Sequence, residues 1–258
     1  MSETKDKQAE NTIAAGYTLD YISGKQIKES AKEGVRQKIV RALIHEYGFS
    51  PEDMENDFSL GGRKKVDVAI FHQGLESIGE RLIAKSLDDR IGCAILIETL
   101  RRLKQTPHEI YFVFSVQEEI TSVGARTAAY SIDPDIAIAV DVTGTGDTPR
   151  AQPMAVEMGK GPAIKVRDAG MIADPRVKNW MVQRAEAAKI PYQLEIFRLG
   201  TTDVQVVQTV REGVPSGGVL VPARYVHSQA EMIDLGDVEQ TVKLLVELLK
   251  KPIVMRNE

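Results

Sequence analysis

The stretch YFVFSVQEEITSVGA, residues 111–125, combines the pattern of a buried strand with two adjacent carboxylates. Six largely apolar positions lead into Gln117, Glu118 and Glu119, and a turn containing Gly124 follows. Adjacent acids repel each other and resist burial, so their place at the end of a core strand needs a physical reason. A metal ion supplies one, because one carboxylate can bind the ion while its neighbour accepts and donates protons. The stretch therefore predicts a strand that ends in a metal site.

The composition is that of a globular protein with little electrostatic bias. The 258 residues, 43% hydrophobic and 27% charged, are enough for one α/β domain and a small addition. A net charge of −4 gives no reason to expect nucleic acid or an acidic membrane as a partner. The polar N-terminus lacks an apolar leader pattern and no segment is long enough to span a membrane, so we expect a cytoplasmic protein. The single cysteine, Cys93, excludes an internal disulfide or thiolate cluster, and we expect it in the core.

Strand-like and helix-like segments alternate from about residue 73 to residue 258. The predicted strands are residues 109–116, 135–142, 192–197 and 214–222. The predicted helices are residues 90–103, 124–131, 174–189, 202–212 and 235–251. This alternation predicts an α/β fold of three layers, with a mostly parallel sheet flanked by helices. In such sheets functional groups collect beyond the carboxyl ends of the strands.

The first 72 residues follow a different pattern. Residues 1–15 are polar and predict a disordered tail. Residues 16–72 predict a small α+β segment, with a helix over about 28–47 and a strand at KKVDVAIF, residues 64–71. Ser50 before Pro51 is a plausible cap for a further helix. The chain is therefore divided into a tail, an N-terminal segment and a larger domain over residues 73–258.

Five side chains with metal-binding chemistry fall at the predicted strand and helix ends. Asp88 directly precedes a helix, Glu118 and Glu119 end one strand, Asp141 ends the next, and His227 follows the last. Taken singly, Asp88 could cap a helix, Asp141 could cap a turn, and the others could be solvated surface groups. Taken together, they bring oxygen and imidazole donors to one edge of the sheet. Carboxylates and histidine without thiolate suit Zn²⁺, Co²⁺ or Mn²⁺.

The motifs around these residues resemble a known family. They are AKSLDDRIGCA, VFSVQEEITSVGA, AVDVTGTGDTP, GKGPAI, LGTTDVQ and the long stretch from REGVPSGG to VKLL. In their order and approximate spacing they are similar to the catalytic domain of the tetrahedral aminopeptidases, co-catalytic metallopeptidases also labelled glutamyl aminopeptidases or endoglucanases. The resemblance covers residues 73–252. It implies a zinc-peptidase-like fold, a hydrolase that removes N-terminal residues from peptides, and a possible homo-oligomer.

The resemblance also implies a role for each candidate residue. Asp88 would bridge two metal ions, while Glu119 and His227 would complete the ligands of one of them. Asp141 would bind the other ion. Glu118, beside the metal but not bound to it, would be the general base that takes a proton from metal-activated water.

Part of the family's pattern is not found in this sequence. The family's first metal ligand is a histidine in a His-x-Asp motif, and a dimerisation domain is inserted after it. His72 is followed by Gln73 and Gly74 and stands sixteen positions before Asp88, so it is a weak candidate for that ligand. We therefore expect one Zn²⁺ or Co²⁺ site, a second site that is weak or absent, and reduced activity. Asp203, in the GTTD loop, would bind the substrate's α-amine or else cap a helix.

The N-terminal segment resembles a different family. Its motifs DYISGK, HEYGF and GRKKVDVAIF, with Glu33 before VRQ, are similar to the N-terminal, restriction-endonuclease-like domain of type I restriction enzyme motor subunits. That resemblance implies Asp67 as a Mg²⁺-binding acid, but the Glu-x-Lys pair of the nuclease does not follow. A structural role is favoured for this segment, and nucleic acid is not expected as a partner. Besides a peptidase, the sequence leaves open an inactive binding or assembly protein and a nucleic-acid enzyme.

Overall fold

Strand pairing in the computed structural model places seven strands of the larger domain in one sheet. The structure describes residues 14–45, 51, 54–59, 65–70, 74–149 and 151–254. Internal contacts divide the chain into a first unit, residues 1–73 with 227–229, and a second unit, residues 74–226 with 230–258. No helix in these described ranges is long and apolar enough to cross a membrane.

The described residues of the first unit form two short antiparallel ladders and one α-helix. Its elements are β1 (Tyr17–Leu19), β2 (Gln26–Lys28), α1 (Ala31–His45), β3 (Met54–Ser59) and β4 (Lys65–Ile70). Strand β1 pairs with β2, and β3 pairs with β4. Helix α1 begins after Ser30, whose hydroxyl oxygen accepts the Glu33 N–H at 3.1 Å, as a helix-capping serine does. The predicted helix and strand are confirmed, whereas Ser50, His72 and residues 1–13 of the predicted tail lie outside the described residues.

The second unit alternates strands and helices along the chain. Its strands are β5 (Glu76–Ile78), β6 (Arg81–Ala84), β7 (Ala137–Thr143), β8 (Ala163–Arg167), β9 (Gln193–Ile196), β10 (Ser216–Arg224) and β11 (Glu231–Asp234). Its helices are α2 (Leu87–Arg102), α3 (Glu118–Thr121), α4 (Val123–Ile132), α5 (Pro175–Ala187), α6 (Val204–Val207) and α7 (Leu235–Leu249). The predicted α/β class is confirmed.

The sheet is mixed, so the expectation of a mostly parallel sheet is wrong in this respect. Strand β10 runs parallel to β7 and antiparallel to β8 and β11, and β8 runs parallel to β9. Strands β5, β6 and β11 pair antiparallel. Strands β5, β6 and β11 are too short for their periodicity to be detected in the sequence. The connections from β5 to β6 and from β10 to β11 reverse the chain without a crossover helix, which makes these pairs antiparallel.

The core lies where apolar faces of helices cover β10. Val219, Leu220 and Val221 of β10 are fully buried. Helix α5 contributes Val177, Trp180 and Met181 to the cluster that contains Val219 and Val221, and α7 contributes Leu244, Leu245 and Leu248. These residues recur every three or four positions, which places them on one face of each helix. The buried frame supports the strand ends at which the candidate site residues lie.

The predicted strand over residues 109–116 is not formed. Residues 109–115 have no regular secondary structure and pair with no strand in the part of the chain that the structure describes. Tyr111, Phe114 and Val116 are 57%, 50% and 66% exposed. An apolar run with high β propensity becomes a strand only beside a partner, and β7, the next strand in the chain, pairs with β10 alone among the described strands.

Two smaller expectations also differ from the structure. Cys93 is exposed, because the buried face of α2 carries Gly92, Ile95 and Thr99. The helix predicted over residues 202–212 is only the single turn α6, and turns follow it up to Gly213.

Candidate metal centre

Asp88 and Asp89 lie in the first turn of α2 and are joined by a cis peptide bond. Ser86, at the N-cap position, has a left-handed backbone with φ 55° and makes no side-chain cap. Instead, Oδ1 of Asp89 accepts the N–H of Gly92 at 2.9 Å. A Cβ at position 92 would lie 2.1 Å from Oδ2 of Asp89, so glycine is required for this close approach. The capping role considered for Asp88 is therefore performed by its neighbour.

The backbone at Asp88 is held by a buried acid from another element. The Asp88 N–H donates a hydrogen bond of 2.9 Å to Oε2 of Glu231, the first residue of β11. Glu231 is only 3% exposed. The bond joins the start of α2 to the strand that follows the His227 segment, across 143 sequence positions. Glu231 thus helps to place Asp88 at the site.

Glu118 and Glu119 begin α3, directly after a sharp change in chain direction. Gln117 has a left-handed backbone with φ 62°, and its carbonyl oxygen accepts the N–H groups of Thr121 and Ser122 at 3.2 and 2.8 Å. Glu118 is half-buried and Glu119 is exposed. Consecutive helical residues differ by roughly 100° around the axis, so the two carboxylates leave the helix in different directions. This separation permits one acid to bind a cation and the other to handle protons.

Donor atoms of Asp88, Glu119 and His227 all lie within 4.8 Å of one another. His227 lies between β10 and β11 and has a left-handed backbone with φ 63°. Two carboxylates and one imidazole form a donor set that Zn²⁺, Co²⁺ and Mn²⁺ accept. The structure thus brings together three of the five residues predicted as ligands or base.

Asp141 lies outside that group of three but within range of its charge. It is 8% exposed on β7, and Oδ1 accepts the N–H of Val142 at 2.7 Å. Burial raises the pKa of Asp141 well above its usual value, and the negative charges of Asp89, Asp88 and Glu118 raise it further. Several carboxylates therefore act on one another around the buried Asp141, whereas Glu119 and His227 of the donor set are exposed.

Asp89 shows the same electrostatic situation. Burial, opposed by the hydrogen bond from Gly92 and assisted by the charges of Asp88, Glu118 and Asp203, raises the pKa of Asp89 from 3.8 to about 8. A divalent cation would offset the repulsion among these carboxylates. The chemistry of this donor set and its surplus of negative charge fit a divalent metal ion.

Asp203 faces the same group of acids from the start of α6. Its carboxylate occupies the N-cap position but makes no side-chain cap, and accepts a hydrogen bond from the Ser115 hydroxyl instead. Burial raises the pKa of Asp203, while the bond from Ser115 lowers it. The preceding Thr201 and Thr202 carry buried hydroxyls without a hydrogen-bond partner in the described ranges. The helix-capping alternative for Asp203 is not supported by its contacts.

Sequence reasoning missed Asp89, Glu231 and Ser115. The Asp-Asp pair in SLDDRIG was a possible signal, as was an acid four positions after His227. Ser115 carried no such signal, because its contact with Asp203 spans 88 positions and depends on the fold.

Comparisons with known proteins identify the relatives of this chain. The model of a family described as M42 glutamyl aminopeptidase matches residues 27–244. A protein of Acetivibrio thermocellus named "Putative aminopeptidase" is 49% identical over 183 residues, which are 71% of this chain and 56% of that protein.

Solved structures show the same similarity. Aminopeptidase APDkam598 from Desulfurococcus kamchatkensis is 37% identical with a TM-score of 0.67, over 73% of this chain and 54% of that one. PhTET1-12s, described as a dodecamer in its asymmetric unit, is 31% identical with a TM-score of 0.61, over 73% of this chain and 57% of that one. The chain thus spans little more than half the length of these relatives.

Proposed function

Because the chain belongs to the M42 glutamyl aminopeptidase family, we propose that it is a metal-dependent aminopeptidase that removes N-terminal residues from peptides. The observation that carries this proposal is the convergence of donor atoms from Asp88, Glu119 and His227 within 4.8 Å. The neighbouring Glu118 supplies an acid–base group next to that donor set. Since the chain spans about half the length of its relatives, the activity has to be measured on this chain itself.

Each residue at the site has a proposed task. Asp88, Glu119 and His227 would hold one Zn²⁺ or Co²⁺ ion, which when bound supplies a Lewis acid and lowers the pKa of water. The Glu118 carboxylate accepts the proton of the attacking water and passes it to the leaving amine. Asp203 binds the α-ammonium group of the substrate through a charge-assisted hydrogen bond.

We propose one tight metal site and a second that is weak or absent. Asp88 and Asp141 are the only protein donors proposed for a second ion, which is too few for tight binding of a transition metal. Reduced activity relative to a two-metal aminopeptidase follows from this proposal.

The second candidate function is a binding or assembly protein that keeps the fold without hydrolysis. The observation that favours it is the exposed apolar segment with Tyr111, Phe114 and Val116, which ends two residues before Glu118. An exposed apolar segment that pairs with no described strand, beside the proposed base, could bind another chain.

Other properties stay predictions. A homo-oligomer is supported by the dodecamer described for PhTET1-12s. A cytoplasmic location and the absence of membrane or nucleic-acid partners rest on the sequence. The resemblance of residues 17–72 to a restriction enzyme motor subunit also stays a prediction, and the match to the M42 model begins inside that segment, at residue 27.

Metal content after dialysis, measured by elemental analysis, tests the site. We expect about one Zn²⁺ or Co²⁺ per wild-type chain and its loss in Asp88→Ala and His227→Ala. The matched controls are Asp133→Ala and His108→Ala. Asp133 pairs with the exposed Arg211, and the His108 ring contacts the Lys251 carbonyl oxygen. Both control variants should retain the metal.

Hydrolysis of aminoacyl p-nitroanilides at saturating Zn²⁺ or Co²⁺ tests the activity. We expect Glu118→Gln to retain the metal and to lose activity by roughly 10²-fold or more, because the general base is removed. A folded wild type that binds no metal would contradict the proposed site. A metal-loaded wild type without hydrolysis would instead favour the binding protein.

A further inference from the structure

Three buried charges form a network next to the turn that contacts the loop carrying Asp203. Lys165 of β8 is 1% exposed, and its Nζ lies 2.8 Å from Oδ2 of Asp168 and 3.3 Å from Oε2 of Glu195. Asp168 and Glu195 are 3% and 0% exposed. A buried charge is costly unless it is paired, so the Lys165 ammonium group depends on its acidic partners. None of the three has a part in the proposed chemistry.

The network connects the ends of three strands with one turn. Glu195 of β9 also accepts a hydrogen bond from the Thr143 hydroxyl at 3.0 Å, at the end of β7. On the other side, Oδ1 of Asp168 accepts the N–H groups of Gly170 and Met171, each at 2.8 Å. Asp168 therefore uses one oxygen for Lys165 and the other for the turn of residues 168–171. The position of this turn depends on the buried cation.

The turn of residues 168–171 supports the loop of residues 200–203. The Ala169 N–H donates to the Gly200 carbonyl oxygen at 3.0 Å. A Cβ at Gly170 would lie 2.6 Å from Oε1 of Gln205 and 2.7 Å from Oγ1 of Thr201, so the turn and the loop are packed closely. A displacement of the turn would therefore displace the loop.

The loop itself carries polar atoms that do not stabilise it internally. Oγ1 of Thr201, Oγ1 of Thr202 and Oδ1 of Asp203 are buried and have no hydrogen-bond partner among the residues described. Such groups cost free energy in the folded protein and are typical of sites that bind a ligand. Contacts with other segments, from the Ala169 N–H to Gly200 and from the Ser115 hydroxyl to Asp203, help to hold the loop in place.

We infer that Lys165 is a positioning residue for the substrate loop of residues 200–203, acting through Asp168 and the turn of residues 168–171. This inference rests on the proposed function in taking the substrate's α-ammonium group as the ligand of the loop. Lys165 pairs with Asp168, and Asp168 fixes the turn by accepting two of its N–H groups. The turn donates a hydrogen bond to Gly200, which positions Asp203 to bind the substrate's amine.

Asp168→Asn tests the inference, because it removes the ion pair while an amide oxygen can still accept the two N–H groups. We expect faster hydrogen–deuterium exchange in peptides covering residues 197–205. With an aminoacyl p-nitroanilide, KM should rise about tenfold because amine binding weakens, whereas kcat should change by less than about threefold. Metal content should be unchanged.

Two control variants separate positioning from general stability. Asp237 is also buried and accepts two glycine N–H groups, from Gly159 and Gly161, so Asp237→Asn should leave exchange of residues 197–205 and KM unchanged. Glu195→Gln keeps the Lys165–Asp168 pair and should also leave both unchanged.

Lys165→Gln, which removes the cation, should loosen the loop as Asp168→Asn does. It replaces Asp168→Asn as the test variant if Asp168→Asn fails to fold.

The inference is overturned if loop exchange and KM stay at wild-type values in folded Asp168→Asn and Lys165→Gln. It is also overturned if Asp237→Asn loosens the loop equally. A wild type without any hydrolysis would refute the proposed function. Hydrogen–deuterium exchange of residues 197–205 would then be the measurement that tests the positioning role of Lys165.

Discussion

The ion pair between Asp147 and Arg224 predicts a defined loss of stability in acid. Arg224 ends β10 and donates from Nε to Oδ1 of Asp147 at 3.0 Å and from Nη2 to Oδ2 at 2.8 Å. The Met158 N–H adds a bond of 3.1 Å to Oδ2. Burial alone raises the pKa of Asp147, but the hydrogen bonds from Arg224 and Met158 outweigh it and lower the pKa from 3.8 to about 2.

The sign and size of the effect follow from this difference in pKa. The unfolded chain binds the proton more tightly, so the pair stabilises the protein above about pH 4, and this contribution is lost as the pH falls toward about 2. A pKa lowered from 3.8 to about 2 corresponds to roughly 2 kcal/mol of unfolding free energy. The two side chains are 17% and 16% exposed, and solvent screening reduces the expected contribution to about 1–2 kcal/mol.

Urea unfolding of Asp147→Asn measures this contribution. Trp180 is the single tryptophan and is 3% exposed in the core, so its fluorescence reports unfolding of the second unit. Near neutral pH we expect a loss of about 1–2 kcal/mol, which lowers the urea midpoint by roughly 0.5–1 M for a slope of about 2 kcal/mol/M. Near pH 2 the difference between the wild type and the variant should shrink to about 0.5 kcal/mol or less.

The control is Asp133→Asn, which removes a pair with Arg211 whose carboxylate is 63% exposed. It should change the unfolding free energy by only about 0.5 kcal/mol or less. A difference between wild type and Asp147→Asn that is constant from neutral pH to about pH 2 would refute the linkage argument. Equal stabilities near neutral pH would refute it as well.

Three further substitutions can be measured with the same fluorescence assay. Leu248→Ala, at a fully buried position of α7, should cost about 2–5 kcal/mol through lost burial and a cavity, and a loss under about 1 kcal/mol would contradict the core assignment. Asp174→Ala removes the side-chain cap of α5, a bond of 2.8 Å from the Arg176 N–H, and should cost about 1 kcal/mol; an unchanged midpoint would argue against the cap. Val116→Thr, at a position 66% exposed, should change stability by about 0.5 kcal/mol or less, whereas a larger loss would mean that residues 109–116 form a buried strand.

The local sequence pattern was sufficient to predict a helix or strand where that element has its own hydrophobic periodicity or apolar run. Helices α5 and α7 repeat apolar residues every three or four positions, and β7 and β10 each contain an apolar run, residues 137–140 and 219–223. These four elements therefore follow from the sequence. Residues 109–116 have an equally strong local pattern, yet the strand is not formed. The difference is that a strand requires hydrogen bonds to a distant part of the chain.

The residues of the candidate site could be predicted from the sequence, whereas the contacts that place them could not. Chemistry-bearing residues at strand and helix ends could be named from the sequence, and the structure brings Asp88, Glu119 and His227 together. Their ligand roles stay predictions. The contacts that place them, such as the bond from Asp88 to Glu231 across 143 positions, could not be named in advance.

The α/β class, the main helices, most of the strands, the family resemblance and the set of candidate donors could be predicted from the sequence alone. These depend on residue types and on periodicity within about twenty residues. Three features depend on the fold instead: Asp89, rather than Asp88, caps α2, residues 109–116 pair with no described strand, and Lys165 is buried beside the turn that contacts the Asp203 loop. The physical reason is that burial and pairing are set by groups far apart in the chain, and local sequence does not contain their positions.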